Sequence, residues 1–336
     1  MSVTIRDVSK ASGISIATVS KYLNGVSVRP RSAEKISRAI AELGYHPNPI
    51  ARSLRNSCTM TIGILVDNIT NNFYNNMVAL LTRSLREFGY SCLICDVDNS
   101  VGTISDTINF FASKKVDGVF VLTNHLPAGV IELFNKTFRN IVIIDCFVPG
   151  LRADFVFTDN LAAAYHATEQ FIARNHKRIA IITGHPDVFS AHERLNGYLR
   201  ALQDYRLDPD PELIFQYDYD MNGGYMAFRK LVELPPERRP SAVLVTSYFM
   251  TVGAVIALNE FGLTIPSDLS MICFDNYDIN KVFRPSLSCV IQPVEELCRR
   301  AADLLFERIN GEVQENRIFR LNASFQIGES LGNCAQ

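Results

Sequence analysis

From Thr61 onward, apolar runs of strand length alternate with amphipathic segments of helix length. The strand-like runs include Ile62 to Val66, Cys92 to Val97, Gly118 to Leu122, Ile141 to Asp145, Arg178 to Thr183, Ala242 to Thr246, Leu269 to Asp275 and Leu287 to Ile291. Alternation of this kind predicts parallel sheets covered by helices on both faces. Repeated over about 270 residues, it favours two doubly wound lobes over one. No Gly-x-Gly-x-x-Gly follows a strand-like run, which gives a dinucleotide site little support.

The first 57 residues carry a helical pattern instead. Thr4 and Asp7 form a capping-box start, after which Ile5, Val8 and Ala11 share one helical face. Gly13 ends that helix. A second helix opens with Ser15 as N-cap, turns Val19 and Leu23 inward and ends at Asn24-Gly25. Two short helices joined by about four residues including a glycine make a helix-turn-helix. Ile16, Ala17, Ser20 and Lys21 face outward on the second helix, with Thr18 and Tyr22 at its flanks. Small and hydroxylated side chains let such a helix sit deep in a major groove, where Lys21 can reach guanine or phosphate. A third helix, with Ser32 as its cap, carries Ile36, Ala39, Ile40 and Leu43 at i, i+3, i+4 and i+7 and stops at Gly44.

Charge separates the two regions. Residues 1–57 hold nine Lys and Arg against three acids, a net +6, while the remainder holds 24 against 32, a net -8. A basic head on an acidic body suits a chain in which only the head meets phosphate, although charge alone would also suit a plain solvated face. Hydrophobic residues make up 47% of the chain and charged residues 20%, and no apolar run approaches the roughly 20 residues of a membrane span. The first residues lack the apolar block of a secretory signal, so the chain is expected in the cytoplasm. Its eight cysteines are scattered, mostly in apolar runs, as reduced buried thiols would be. Cys92 and Cys95 fall on opposite faces of one expected strand, which argues against a metal or redox pair. The six His residues show no nucleophile or metal spacing, and no catalytic residue, metal or cofactor is expected.

The segment Tyr45 to Arg55 encodes one further short helix, about residues 48–56, with Asn48 as cap and Pro49 at its first position. Ile50, Ala51 and Leu54 share a face flanked by Arg52 and Arg55. A helix that short is marginal alone, so it should form only when paired with a twin and with DNA. Its apolar wedge between basic flanks suits minor-groove insertion.

Residues 4–25 and 45–55 resemble the head and hinge of the lactose/galactose repressor (LacI/GalR) family of bacterial transcription regulators. The resemblance is carried by Thr4-Ile5-Arg6-Asp7-Val8, Gly13-Ile14-Ser15, Ala17-Thr18-Val19-Ser20, Leu23-Asn24, Tyr45-His46-Pro47-Asn48 and Ala51-Arg52-Ser53-Leu54. The body is similar as well, through Ile62-Gly63-Ile64, Asn72-Phe73-Tyr74, Thr158-Asp159-Asn160, Arg178-Ile179-Ala180, Arg194-x-x-Gly197-Tyr198, Gly253-Ala254, Ile265-Pro266, Phe274-Asp275-Asn276 and Gln292-Pro293. The resemblance implies an α/β core like a periplasmic sugar-binding protein, two doubly wound lobes joined by crossing strands, behind an all-α helix-turn-helix head and a hinge helix. It also implies an effector cleft between the lobes, at the carboxyl ends of the strands.

Position by position, the implied effector contacts are Asn71, Phe73, Tyr74 and Asp145 from the first lobe, and Ser190, Arg194, Tyr219, Ser247 and Asp275 from the second. Arg194 and Asp275 offer donors and acceptors for vicinal hydroxyls, and Phe73 or Tyr219 can pack on a sugar face. The chain departs from the family at Ser247-Tyr248-Phe249, where an Asn-Asp pair is usual. That change points to a modified, phosphorylated or less hydroxylated sugar-like effector. On the DNA side, Ile16, Ala17 and Lys21 are expected at base edges and Ser15, Thr18, Asn24 and Tyr45 on phosphate.

The expected organisation is a head with hinge over 1–57, an N-lobe of 60–160 with about 292–320, and a C-lobe of 161–291 with about 321–330. The expected function is a homodimeric repressor of carbohydrate-metabolism genes on a near-palindromic operator, switched as lobe closure respaces the hinges. With no heptads past Ile327, a tetramer-forming tail is not expected. A cytoplasmic sugar-binding receptor of the periplasmic-binding-protein type is the alternative, and it leaves the basic head unexplained.

Overall fold

A computed structural model describes residues 3–23, 26–45, 58–98, 100–123, 125–275, 282–312 and 315–334. The chain divides into two compact units, Met1–Met60 and Thr61–Gln336. The hinge segment expected over 48–56, with Arg52, Leu54 and Arg55, lies outside the described residues, as does Asn24.

In the first unit, α1 (Ile5–Ser12), α2 (Ile16–Leu23) and α3 (Pro30–Leu43) close on a small core of Val8, Val19, Ile36 and Ala39. The capping box forms, with Thr4 N donating to Asp7 Oδ2 at 2.9 Å. Two local expectations are corrected. Ala11 is exposed and Ser12 takes the buried place instead, because its hydroxyl donates to the Val8 carbonyl at 2.7 Å and so needs no water. Helix α3 begins at Pro30 after Arg29, ahead of the expected Ser32 cap. Proline has no N–H to lose in a first helical turn, and its fixed φ already suits the helix.

The second unit holds two six-stranded sheets. The first comprises β1 (Thr61–Val66), β2 (Ser91–Asp96), β3 (Gly118–Leu122), β4 (Ile141–Ile144), β5 (Asp154–Thr158) and β11 (Ile318–Leu321), in the order β11-β5-β4-β3-β1-β2 and parallel throughout. The second comprises β6 (Ile179–Thr183), β7 (Ile214–Gln216), β8 (Ala242–Val245), β9 (Ser270–Phe274), β10 (Ser288–Ile291) and β12 (Ser324–Gln326), in the order β12-β10-β9-β8-β6-β7, with only the β10–β12 pair antiparallel. Central strands β3, β4, β8 and β9 are buried along their whole length, which is why they read as unbroken apolar runs.

The chain crosses between sheets after β5, after β10, and between β11 and β12. Helix α4 (Asn72–Glu87) covers the first sheet together with α11 (Val294–Ile309), whose Leu297, Ala301 and Leu305 join the core of Ile62, Ile64 and Tyr74. Helices α5 (Val101–Lys114) and α6 (Ile131–Thr137) cover its other face. In the second lobe, α7 (Asn160–Ile172) and α8 (Phe189–Asp204) lie on one face, and α9 (Met221–Glu233) and α10 (Tyr248–Glu260) on the other. Gly197 lets α8 approach α7 closely, since a Cβ there would collide with the Leu161 carbonyl.

Strands β5, β7, β11 and β12 were not among the apolar runs. Three are short edge strands with partly exposed patterns, and β5 opens on a charged residue. That residue, Asp154, is fully buried and accepts from Arg308 Nε at 2.8 Å and from Arg317 Nη2 at 2.8 Å. The ion cluster ties α11 and the approach to β11 onto β5. Cys92 packs with the α4 side of the first sheet and Cys95 with the α5 side.

Candidate functional site

Parallel strands bring their carboxyl ends to one edge of each sheet, and loops from both edges meet in a pocket of about 430 Å³, mouth included. Asn71, Phe73, Tyr74, Asp145, Ser190, Arg194, Tyr219, Ser247 and Asp275, all expected from the sequence, line it together. Tyr248, Phe249 and Gln292 line it as well.

The helix starts set several of these side chains. Asn71 caps α4 by accepting from Phe73 N at 3.0 Å, which sends Phe73 and Tyr74 into the cleft on the first turn. Ser247 caps α10 in the same way, accepting from Met250 N at 3.3 Å, and so presents Tyr248 and Phe249. Ser190 stands in the first turn of α8 and is buried. The Tyr219 ring packs against Gly184, with its hydroxyl 3.4 Å from Thr246 Oγ1.

Asp145 and Asp275 were expected inside strands, but β4 and β9 end one residue earlier. Both residues have positive φ, 74° and 65°, which breaks the extended backbone and turns each carboxyl group into the cleft. Tyr74 Oη donates to Asp145 Oδ2 at 3.1 Å, while Asp145 Oδ1 is buried without a hydrogen-bond partner among the described residues. Burial pushes the Asp145 carboxyl up to about 7, against the lowering effects of Arg194 and the Tyr74 hydroxyl. Burial also raises Asp275, which accepts from Gln292 Nε2 at 3.0 Å and 3.2 Å.

Arg194 is 4% exposed and held on three sides. Its Nε donates to Asn160 Oδ1 at 2.8 Å, its Nη1 donates to the Thr246 carbonyl at 2.5 Å, and its guanidinium lies 4.2 Å from the Phe274 ring centre. Such fixation pre-sets the donors it turns toward a ligand. Gln292 links the lobes, since its Oε1 accepts from Thr158 Oγ1 at 2.9 Å while its amide holds Asp275. Sequence reasoning noted Gln292-Pro293 after the last apolar run but assigned it no role in the site. Asn160, Thr246 and Phe274 hold Arg194, and nothing in their spacing announces that.

The arrangement offers two buried carboxylates, one cation and five aromatic side chains, a set suited to a small ligand rich in hydrogen-bond donors. Among the described residues no cluster of His, Cys, Asp or Glu is placed to hold a metal ion, and no helix is long and apolar enough to cross a membrane.

In the head, Ser15 caps α2, accepting from Thr18 N at 3.3 Å, and its Oγ stands 3.0 Å from Thr18 Oγ1. Ile16 is 46% exposed, Ala17 and Lys21 are exposed, and Thr18 and Ser20 are half-buried along the same helix. Tyr45, expected on phosphate, packs against the head core and is half-buried.

Comparison with known proteins gives two family matches. Residues 4–48 match the model of bacterial regulatory proteins of the lacI family, and residues 168–331 match a periplasmic binding protein-like domain. The chain is 32% identical to the HTH-type transcriptional repressor PurR of Vibrio atlanticus, over 95% of this chain and 96% of that one. Among solved structures it resembles a transcriptional regulator CelR–cellobiose complex at 28% identity and a TM-score of 0.75, covering 98% and 99% of the two chains. It shares the fold of the lac repressor dimer bound to operator and the anti-inducer ONPF, with a TM-score of 0.86 at 22% identity over 99% and 100%.

Proposed function

The chain belongs to the lacI family of bacterial regulatory proteins, as a DNA-binding transcriptional repressor with a periplasmic-binding-protein-like effector domain, and from that premise we propose that a neutral, sugar-like molecule is its effector. The observation that carries this reading is the convergence of Asp145, Arg194 and Asp275 from both lobes on one pocket walled by aromatic rings. Carboxylates accept from hydroxyls, the fixed guanidinium donates to them, and Phe73 or Tyr219 packs on the ring. The cellobiose held by CelR supports a carbohydrate as the ligand class. Two acids against one cation disfavour an added phosphate, which narrows the phosphorylated option left open by the Ser247-Tyr248-Phe249 departure.

A planar heterocyclic base is the second reading. It is favoured by the five aromatic side chains, Phe73, Tyr74, Tyr219, Tyr248 and Phe249, that line the pocket.

The repressor acts in the cytoplasm as a homodimer on a near-palindromic operator and controls carbohydrate-metabolism genes. Ile16, Ala17 and Lys21 read base edges, Ser15, Thr18, Asn24 and Tyr45 lie nearer phosphate, and Ser20 faces the DNA on the same helix. Residues 1–57 form the head and hinge, in which the Leu54 wedge enters the minor groove between the basic flanks Arg52 and Arg55. Residues 60–160 with about 292–320 form one effector lobe and 161–291 with about 321–330 the other. A thermal-shift panel on the full-length protein tests the effector class, using D-ribose, D-glucose, cellobiose, their phosphates and adenine. A neutral sugar that raises the melting temperature and changes operator affinity supports the reading, and a response confined to adenine selects the second.

A further inference from the structure

Asp145 stands in the cleft almost without solvent, at 4% exposure, with Oδ2 bonded to Tyr74 and Oδ1 without a hydrogen-bond partner among the described residues. The titratable and charged groups that face it come from every element around it. Asp67 follows β1, Tyr74 lies on α4, Cys146 is its own neighbour, Arg194 reaches in from α8, and Asp275 faces it from the other lobe. Arg194 is the only cation in that group, and it is shared between the two acids. The two buried carboxylates, Asp145 and Asp275, share one guanidinium in a space of low dielectric, which leaves one negative charge in excess with the half-buried Asp67 adding to it, and a proton on one buried acid relieves it. Asp275 has both oxygens bonded by Gln292, whereas Asp145 has a bare one, so Asp145 is the better place for that proton.

We propose that the effector exchanges for a proton at Asp145. In the protein alone the carboxyl group is largely the neutral acid below about pH 7 and about half so at pH 7. A ligand hydroxyl or N–H donates to Oδ1, the carboxyl O–H bond breaks, the proton goes to solvent, and the ligand keeps its own. Burial pushes this group up to about 7, which places the exchange in the physiological range. Affinity is then nearly flat above about pH 8 and falls roughly tenfold per pH unit below about 7. The proposal rests on the pocket being the effector site, and it makes the repressor's response to its ligand pH-dependent.

Isothermal titration of the full-length protein with D-ribose, D-glucose, cellobiose and adenine, each in phosphate and in Tris, measures the proton count directly. At about pH 6.5 a binding probe should release most of one proton, shrinking toward none at about pH 8. Tyr74→Phe removes a donor to the carboxylate and should move the midpoint of that profile upward, while Asp145→Asn should abolish proton release. Binding without proton release, or release that persists in Asp145→Asn, overturns the exchange and leaves the pocket assignment standing. Failure of every probe to bind overturns the pocket assignment and the exchange with it.

Discussion

Asp145 and Asp275 occupy the same place in the two lobes. Strands β4 and β9 are each third from the corresponding edge of their sheets, each aspartate is the first residue past its strand, and each has a positive φ. The lobes thus present two copies of one motif to a common cleft, and the charge excess there follows from the repetition. The one cation that faces both acids, Arg194, comes from the second lobe alone, while Tyr74 and Gln292 add neutral donors to Asp145 and Asp275.

The first consequence is a pH dependence of stability. Asp145 has a folded pKa of about 7, raised above the roughly 3.9 of an unfolded aspartate. A raised folded value favours the native state fully below about pH 4, and that contribution disappears as pH rises through about 7. Wild type should therefore lose stability relative to Asp145→Asn between about pH 4 and 8, by on the order of a few kcal/mol. Melting curves of both proteins across that window check it, and a constant offset would contradict it.

Arg194→Lys should uncouple ligand from DNA. An ammonium cannot bond Asn160 and Thr246 at once while stacking on Phe274. Loss of a charged hydrogen bond costs about 1.5–3 kcal/mol, roughly tenfold to a hundredfold in effector affinity. Operator affinity without effector should stay at the wild-type value. Gel-shift titrations with and without ligand measure both, and a normal ligand response in the variant would move the site elsewhere.

Gly197→Ala should destabilise the second lobe by about 1–3 kcal/mol, because the added methyl meets the backbone of α7 and not a side chain that could swing away. Denaturant unfolding measures the loss. A neutral outcome would mean that α7 and α8 separate more easily than their packing implies.

Lys21→Ala should weaken operator binding and, if Lys21 meets phosphate, reduce the salt slope by about one. Leu54→Ala should weaken specific binding with little change in melting temperature. Operator titrations at several salt concentrations distinguish the two, and an unchanged affinity for Leu54→Ala would remove the wedge from the hinge.

Much of the fold is legible in the chain because periodicity reports burial. Runs such as Gly118–Leu122 and Ile141–Ile144 are apolar at every position since both faces of a central parallel strand are covered. Edge strands β7, β11 and β12 escape that logic, as they are short and partly exposed. Ala11 and Ser12 show the same limit at smaller scale, where a hydroxyl bonded to its own helix is as easily buried as a methyl.

The sequence by itself determined the layout, with a basic helix-turn-helix ahead of an acidic, doubly wound body, through local spacing and charge that need no distant partner. Which side chains are candidates for the pocket followed from its resemblance to the lactose/galactose repressor family. Tertiary structure alone decided what those side chains are to one another. Gln292 meets Thr158 and Asp275, and Arg194 meets Asn160, Thr246 and Phe274, only because separate strands end at one cleft. The carboxyl group of Asp145 departs from ordinary acidity for the same reason, since burial between lobes is a property of the assembled fold and of no neighbour in the chain.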